Sequence, residues 1–394
     1  MKPLHLLFVV FSPLLLSCQS NDVKLPTHIE LSSNLFLDNS FEVPADFHLE
    51  TEQEIFALDE AMLTMVKRKL INGHTARYKA RVLLSHIFDD ENISLQYDGN
   101  ANVIARDAYH SQSANCMSLT IMAYSLAKAA DLNISFQRVE IPEYWVRNGQ
   151  YNMLTGHVNL VVREHSEVER NIVWGEKATQ IDFDPHVAKE HFPKKIIEKN
   201  TVLAMFYNNK GADALVRKDY GVAFKYFKAA LQQDELYSTG WGNLGVLYRF
   251  TENYEAAEKV YRHALMLEKA NLTALTNLAI LLKNQERQDE ASDITVYLEE
   301  VRKLNPYYHA LLADEAFYRF SYNDAVKHYK KAIQLDDKRH EFYFGLAKVY
   351  YKQDKVTSAK RAMKKAIQLN KVRSIQNQYV AKLNFLKQSG ISVN

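Results

Sequence analysis

Glycine and proline are scarce in this chain, at 12 and 8 of 394 residues. Both disrupt helices, and linkers are commonly rich in one or the other. Their scarcity therefore excludes long flexible connections and suits helical structure. Cysteine is scarcer still. Cys18 and Cys116 are the only two, too few for the disulfide framework that staples small secreted domains. An excess of one charge is also missing: 49 basic against 47 acidic residues leave +2. That balance excludes the basic footprint of a nucleic-acid-binding protein and gives no reason to expect a strongly acidic partner. No segment reaches the ~18 apolar residues of a membrane span. What remains is ordinary folded composition, 47% hydrophobic and 24% charged, in a length that allows two or three domains.

Residues 1–18 read as a signal peptide. Lys2 supplies a positive start. Leu4 to Leu16 form an apolar stretch, interrupted by Ser12 and Pro13 and too short to cross a bilayer. It ends in Leu15-Leu16-Ser17-Cys18, which resembles a bacterial lipobox, with apolar Leu15 and small Ser17 where a signal peptidase needs them. Gln19 follows the cysteine, with no Asp there. The resemblance implies that Cys18 carries lipid and that the membrane is a partner through that anchor. It also implies an outer-membrane lipoprotein of the bacterial envelope, facing the periplasm. Cys116 is then the one thiol left in an exported protein, where an unpaired thiol is expected to be buried or used.

Residues 19–50 are polar, contain Pro26 and Pro44 and show no period. They are expected to form a tether and lead-in. The pattern changes at Thr51-Glu52-Gln53-Glu54, a capping box in which Thr51 and Glu54 satisfy each other's free amides. Ile55, Leu58, Met62, Met65 and Val66 follow at helical spacing. A second helix is expected from Ala76 to Phe88 and a third over 115–130, with a loop at Asp98-Gly99-Asn100 between them. Strands are expected from Ile134 to Ile141, His157 to Val162, Asn171 to Trp174 and Ala178 to Phe183. Helices followed by an antiparallel sheet give an α+β domain over 51–203.

From about residue 204 the strand pattern stops and a repeat begins. Gly211, Gly245, Ala279, Ala313 and Ala347 are each 34 residues apart, as are Ala223, Ala257, Ala291, Ala325 and Ala359. A third series runs Ala230, Ala264, Leu298, Ala332 and Ala366. Two antiparallel helices per unit cross closely only where side chains are small. Small residues at a fixed period of 34 are the signature of the tetratricopeptide repeat. Five units are expected over 204–373 as an all-α superhelix, with a capping helix and tail over 374–394 and repeat one packed on the preceding domain. Asn209, Asn243 and Asn277 recur at one position of the first helix of a unit. In tetratricopeptide domains an Asn there can hold a peptide backbone, so the concave surface is expected to bind a protein or peptide. A basic clamp for a peptide carboxylate is not matched, because Thr273 and Asn277 stand where Lys and Arg are wanted.

Three segments carry a second resemblance. Asn115-Cys116 opens a helix, Gly156-His157-Val158-Asn159 opens a strand, and Ile181-Asp182-Phe183-Asp184-Pro185 lies on a later strand. Over roughly residues 60–190 the chain resembles the transglutaminase-like (papain-like) superfamily, whose order is Cys, His, Asp. The resemblance implies Cys116 as nucleophile, His157 as base and acid, and Asp182 as the group that orients the imidazole. Asp184 is an alternative, because side chains two apart on a strand share a face. Asp184-Pro185 matches the Asp-Pro of eukaryotic transglutaminases, whereas Asp182 sits between apolar Ile181 and Phe183, and that alternation favours Asp182.

The chain departs from the family at Met117, where an aromatic commonly follows the nucleophile. No side-chain oxyanion donor stands out, although Gln96 and Gln112 are candidates. Asp182-x-Asp184-x-His186 with His191 matches no standard zinc spacing, so no metal or other cofactor is expected. The expected function is acyl transfer or hydrolysis at amide bonds by a lipid-anchored envelope protein. The alternative is an inactive transglutaminase-like fold that serves as a repeat scaffold for an envelope complex.

Overall fold

A computed structural model describes residues 35–71, 75–88, 96, 97, 99, 101–111, 113–148, 151–163, 178–183, 191–370 and 373–389. Cys18, Gln112, the expected strand at 171–174 and Asp184 lie outside the described residues.

The capping box forms as expected. The Glu54 amide donates to Thr51 Oγ1, and the Thr51 amide donates to Glu54 Oε2 at 2.7 Å, opening α1 (Glu52–Phe56). Next come α2 (Glu60–Met65), continued by a π turn over Val66–Leu70, and α3 (Ala76–Phe88). A short parallel pair, β1 (Gln96–Tyr97) and β2 (Ser113–Ala114), brackets α4 (Ala105–Ser111) and leads into α5 (Cys116–Ala129). The larger sheet is antiparallel, in the order β5-β4-β3-β6. Its strands are β3 (Asn133–Asn148), β4 (Tyr151–Arg163), β5 (Ala178–Ile181) and β6 (Lys194–Ile197).

Two strands run well past their expected ends. β3 and β4 continue as a hairpin arm beyond the rest of the sheet. β6 pairs β3 only at Phe136 to Val139, and β5 pairs β4 only at Leu160 to Arg163. Pro142 and Gly156 look like strand breakers in the sequence. Here they fall at a register shift between Val139 and Tyr144, where the ladder is already interrupted.

Ten helices then pair antiparallel: α6 (Lys199–Val216) with α7 (Tyr220–Gln233), α8 (Ser238–Phe250) with α9 (Tyr254–Leu267), α10 (Leu272–Asn284) with α11 (Gln288–Arg302), α12 (Pro306–Tyr318) with α13 (Tyr322–Leu335), and α14 (His340–Lys352) with α15 (Val356–Leu369). α16 (Arg373–Ser389) closes the array. The small residues have the expected cause. A Cβ on Gly211 would lie 2.7 Å from the Phe227 ring, and one on Gly245 would lie 2.5 Å from the Tyr261 ring.

The turn inside each pair holds one left-handed residue: Lys218, Glu252, Glu286, Phe320 and Asp354, with φ from 58° to 67°. The next amide reaches back over the helix end, as from Asp219 to the Ala214 carbonyl at 2.9 Å and from Asn253 to Tyr248 at 2.8 Å. This closes the free carbonyls of each first helix.

The sheet domain and the first pair share one core, in which Ile121, Leu126, Phe136, Leu160 and Ile181 pack with Val202, Leu203 and Phe206. The lead-in segment is packed as well. Phe36 stacks on Trp241, with ring centroids 5.4 Å apart, and Phe41 stacks on Phe224 at 4.6 Å. Tyr248 Oη donates to the Leu35 carbonyl at 2.9 Å and accepts from the Leu37 amide at 3.0 Å. Residues 35–43 thus strap the first two pairs together.

Candidate active site

Cys116 is the first residue of α5. Asn115 caps the helix in extended conformation, and its Oδ1 accepts from the Ser118 amide at 2.9 Å. That contact uses one of the free amides of the first turn, while those of Cys116 and Met117 take no part in the helical ladder. The cap is fastened from behind. The Asn115 amide donates to the Ala101 carbonyl, and Ser118 Oγ donates to the same oxygen at 3.1 Å. α5 is apolar almost all round, with Met117, Leu119, Ile121, Met122 and Leu126 buried. This holds its N-terminus rigidly against the sheet. The thiol is free and half-buried.

His157 lies on β4, at the base of the arm, with its backbone paired to Val139. Thr120 Oγ1 donates to the Val158 carbonyl at 3.2 Å, fixing β4 against the helix that carries Cys116. The His157 imidazole lies between two groups. Its Nε2 is 2.9 Å from Asp182 Oδ1, and the Cys116 side chain is near enough to help raise its pKa. With Nε2 donating to the carboxylate, Nδ1 is left for the sulfur. Burial alone would push the imidazole toward its neutral form. The hydrogen bonds and charges of Asp182 and Cys116 outweigh that effect, and the pKa rises from 6.5 to about 9.

Asp182 follows β5 directly and is held by more than His157. Its Oδ2 accepts from Asn159 Nδ2 at 2.7 Å and from Gln180 Nε2 at 2.8 Å. Gln180 Oε1 in turn accepts from Lys194 Nζ on β6. His157 and Asn159 share one face of β4, and the register places Asn159 beside the residue that follows Ile181. Both strands therefore aim their polar groups at one carboxylate. The sequence motif gives Asn159 no role of its own, and Gln180 was missed. Its signal was available, because residues 180 and 182 share a strand face. Of the oxyanion candidates, Gln96 has its backbone paired with Ser113, close to the start of α5.

A half-buried thiol beside an imidazole, with a carboxylate behind the ring and amides outside the ladder at a helix start, is a set of groups that nucleophilic acyl chemistry can use.

The tetratricopeptide repeat family matches residues 238–271 and 340–372, and a further TPR repeat family matches 314–354. This chain carries tetratricopeptide repeats. No curated protein matches it. Similar solved structures include pilF of Pseudomonas aeruginosa, at 18% identity over 48% of this chain and 87% of that chain, with TM-score 0.30. MamA 41-end from Desulfovibrio magneticus RS-1 is 16% identical over 44% of this chain and 96% of that chain, with TM-score 0.27. YrrB, a TPR protein with an unusual peptide-binding site, is 17% identical over 44% and 90%, with TM-score 0.24. TM-scores of this size carry no argument about this chain.

Tetratricopeptide repeats give the chain a surface for protein or peptide partners. Of the Asn series on that surface, Asn209 is half-buried on α6. Asn243 Nδ2 donates to Asn208 Oδ1 at 2.8 Å, and Asn277 Nδ2 donates to the Thr273 carbonyl at 3.0 Å. Two of the three amides are thus already bonded within the chain.

Proposed function

We propose that the chain is a lipid-anchored bacterial envelope protein with a transglutaminase-like Cys116–His157–Asp182 site, acting on amide bonds of proteins or peptides gathered by its repeats. One observation carries this: His157 Nε2 lies 2.9 Å from Asp182 Oδ1, and the side chain acting on the same ring beside that carboxylate is Cys116, the first residue of α5.

In the proposed reaction the Cys116 sulfur attacks the carbonyl carbon of the substrate. The oxygen takes up the negative charge near the amides that open α5. His157 passes its proton to the departing amine nitrogen, the C–N bond breaks, and an acyl group remains on sulfur. Water or a second amine then attacks this thioester and gives its proton back to His157, releasing the thiolate. Water yields hydrolysis and an amine yields transfer. Asp182 keeps the imidazole oriented throughout and stabilises its charged form before and after the acyl-enzyme.

The anchor rests on Leu15-Leu16-Ser17-Cys18. Lipid on Cys18 leaves a tether from residue 19 to 34 before the packed strap. Fully extended, that tether holds the body within roughly 60 Å of the membrane, on the periplasmic face of the outer membrane.

The test uses p-nitrophenyl acetate on the full chain. The expected result is a burst of nitrophenolate with one acetyl group on Cys116, located by mass spectrometry. The burst is absent in Cys116→Ala and slowed in His157→Ala. A native chain that gains no acetyl on Cys116 would leave the scaffold reading in place of the enzyme.

A further inference from the structure

The hairpin arm ends on the repeats, and its contacts have the character of a bound peptide. Glu143 meets Arg302 side by side, Nε to Oε2 at 2.6 Å and Nη2 to Oε1 at 2.7 Å, in a nearly buried pair. Such a two-pronged pair is the most directional charge contact available to a carboxylate. Arg302 is itself oriented by Nη1 donating to Thr276 Oγ1 at 2.9 Å. Asn305 Nδ2 donates to the backbone carbonyl of Glu143 at 2.9 Å. The next two residues are read as aromatics. Tyr144 packs edge-on to Tyr307 with centroids 4.8 Å apart, and the Arg302 guanidinium lies 5.2 Å from the centre of the Trp145 ring. The repeats therefore read one carboxylate, one main-chain carbonyl and two rings of an extended segment.

The arm is also built to leave. Among the described residues, neither of its strands has a third strand beside it past Glu140, whose amide donates to the Pro193 carbonyl at 2.9 Å, and a lone two-stranded ribbon is marginal in water. Its position depends on the repeats. Val146 and Leu154 on the arm remain 45% and 41% exposed, so the far part of the ribbon adds little burial. The register shift between Val139 and Tyr144 supplies a break in the ladder at its base.

We propose that the pocket of Arg302, Asn305, Tyr307 and Tyr308, whose ring lies 6.4 Å from that of Trp145, takes an extended acidic–aromatic–aromatic segment of a partner protein, in exchange for the chain's own Glu143-Tyr144-Trp145. This rests on the reading of the repeats as a peptide-binding surface and is independent of turnover. The tethered arm competes at high effective concentration, so the free pocket is a minority state and the partner's apparent affinity is reduced by that fraction.

The probe is a fluorescein-labelled peptide of residues 140–146, Glu-Ile-Pro-Glu-Tyr-Trp-Val, titrated by fluorescence anisotropy against the full chain. Glu143→Gln and Tyr144→Ala each weaken the arm while leaving the pocket intact. Each is expected to bind the probe at least roughly tenfold tighter than the native chain. A probe with Lys in place of its second Glu is expected not to bind, and Arg302→Gln in the Glu143→Gln background is expected to abolish binding. Equal affinity for the native chain and both arm variants, or no binding to any of them, overturns the exchange. Equal binding of the Lys probe, or binding that survives loss of Arg302, overturns this pocket while leaving peptide binding elsewhere on the repeats intact.

Discussion

His157 Nε2 and Asp182 Oδ1 lie 2.9 Å apart, with 3% and 4% of their side-chain surfaces exposed. A charged pair this deep depends on its neighbours, and Asn159 and Gln180 bind the remaining carboxylate oxygen. Removing either partner leaves an uncompensated charge.

The pair makes stability pH-dependent with a definite sign. The imidazole titrates near 6.5 when exposed and at about 9 in the folded chain. Between those values the folded state holds a proton that the unfolded state has released, so stability falls as pH rises. The contribution is fully present below 6.5 and is lost as pH passes through about 9. Urea unfolding at pH 6 and pH 9.5 should show a drop on the order of a few kcal/mol that Asp182→Ala lacks. A native-minus-variant difference that stays constant across that range contradicts the pair.

The left-handed turns of the repeats give a second prediction. Lys218 and Glu286, at φ 67° and 63°, are exposed and carry a Cβ where glycine carries none. Relief of roughly 1–2 kcal/mol of strain exceeds the ~0.5–1 kcal/mol that glycine's freer unfolded chain costs. Lys218→Gly and Glu286→Gly should each raise stability by about 0.5 kcal/mol, read as a higher urea midpoint at unchanged slope. A lowered midpoint in both contradicts this.

Gly221 gives a third. A Cβ there would lie 1.7 Å from the Glu42 carbonyl oxygen, a backbone atom that cannot rotate away. Gly221→Ala should lift the strap at residues 35–43, costing on the order of 1–3 kcal/mol and opening the strap to limited proteolysis. An unchanged digestion pattern would show that the strap does not lie against α7.

Much of this arrangement was legible in the sequence. α3 spans the residues its apolar spacing marks, the 34-residue series sits at helix crossings, and Cys116 opens its helix. These features follow from local periods and caps. The arm was not legible, because Pro142 and Gly156 signal breaks and its support comes from Arg302 and Tyr307, about 160 residues away in the chain. The helix ends at Lys218, Glu252 and Phe320 were hidden because no glycine marks them. The strap from Leu35 to Phe41 was hidden because it has no period of its own. Its rings are ordered by Trp241, Phe224 and Tyr248. The carboxylate was a choice between two residues, and His157, Asn159 and Gln180 all converge on Asp182, while Asp184 lies outside the described residues.

The central claim is that His157 activates the Cys116 sulfur, and alkylation tests it without any substrate. Iodoacetamide at pH 6 should label Cys116 of the native chain at least ~10-fold faster than Cys116 of His157→Ala, with Asp182→Asn in between. Equal rates in the native chain and His157→Ala would contradict the account, because the imidazole would then be a neighbour of the sulfur and not its activator.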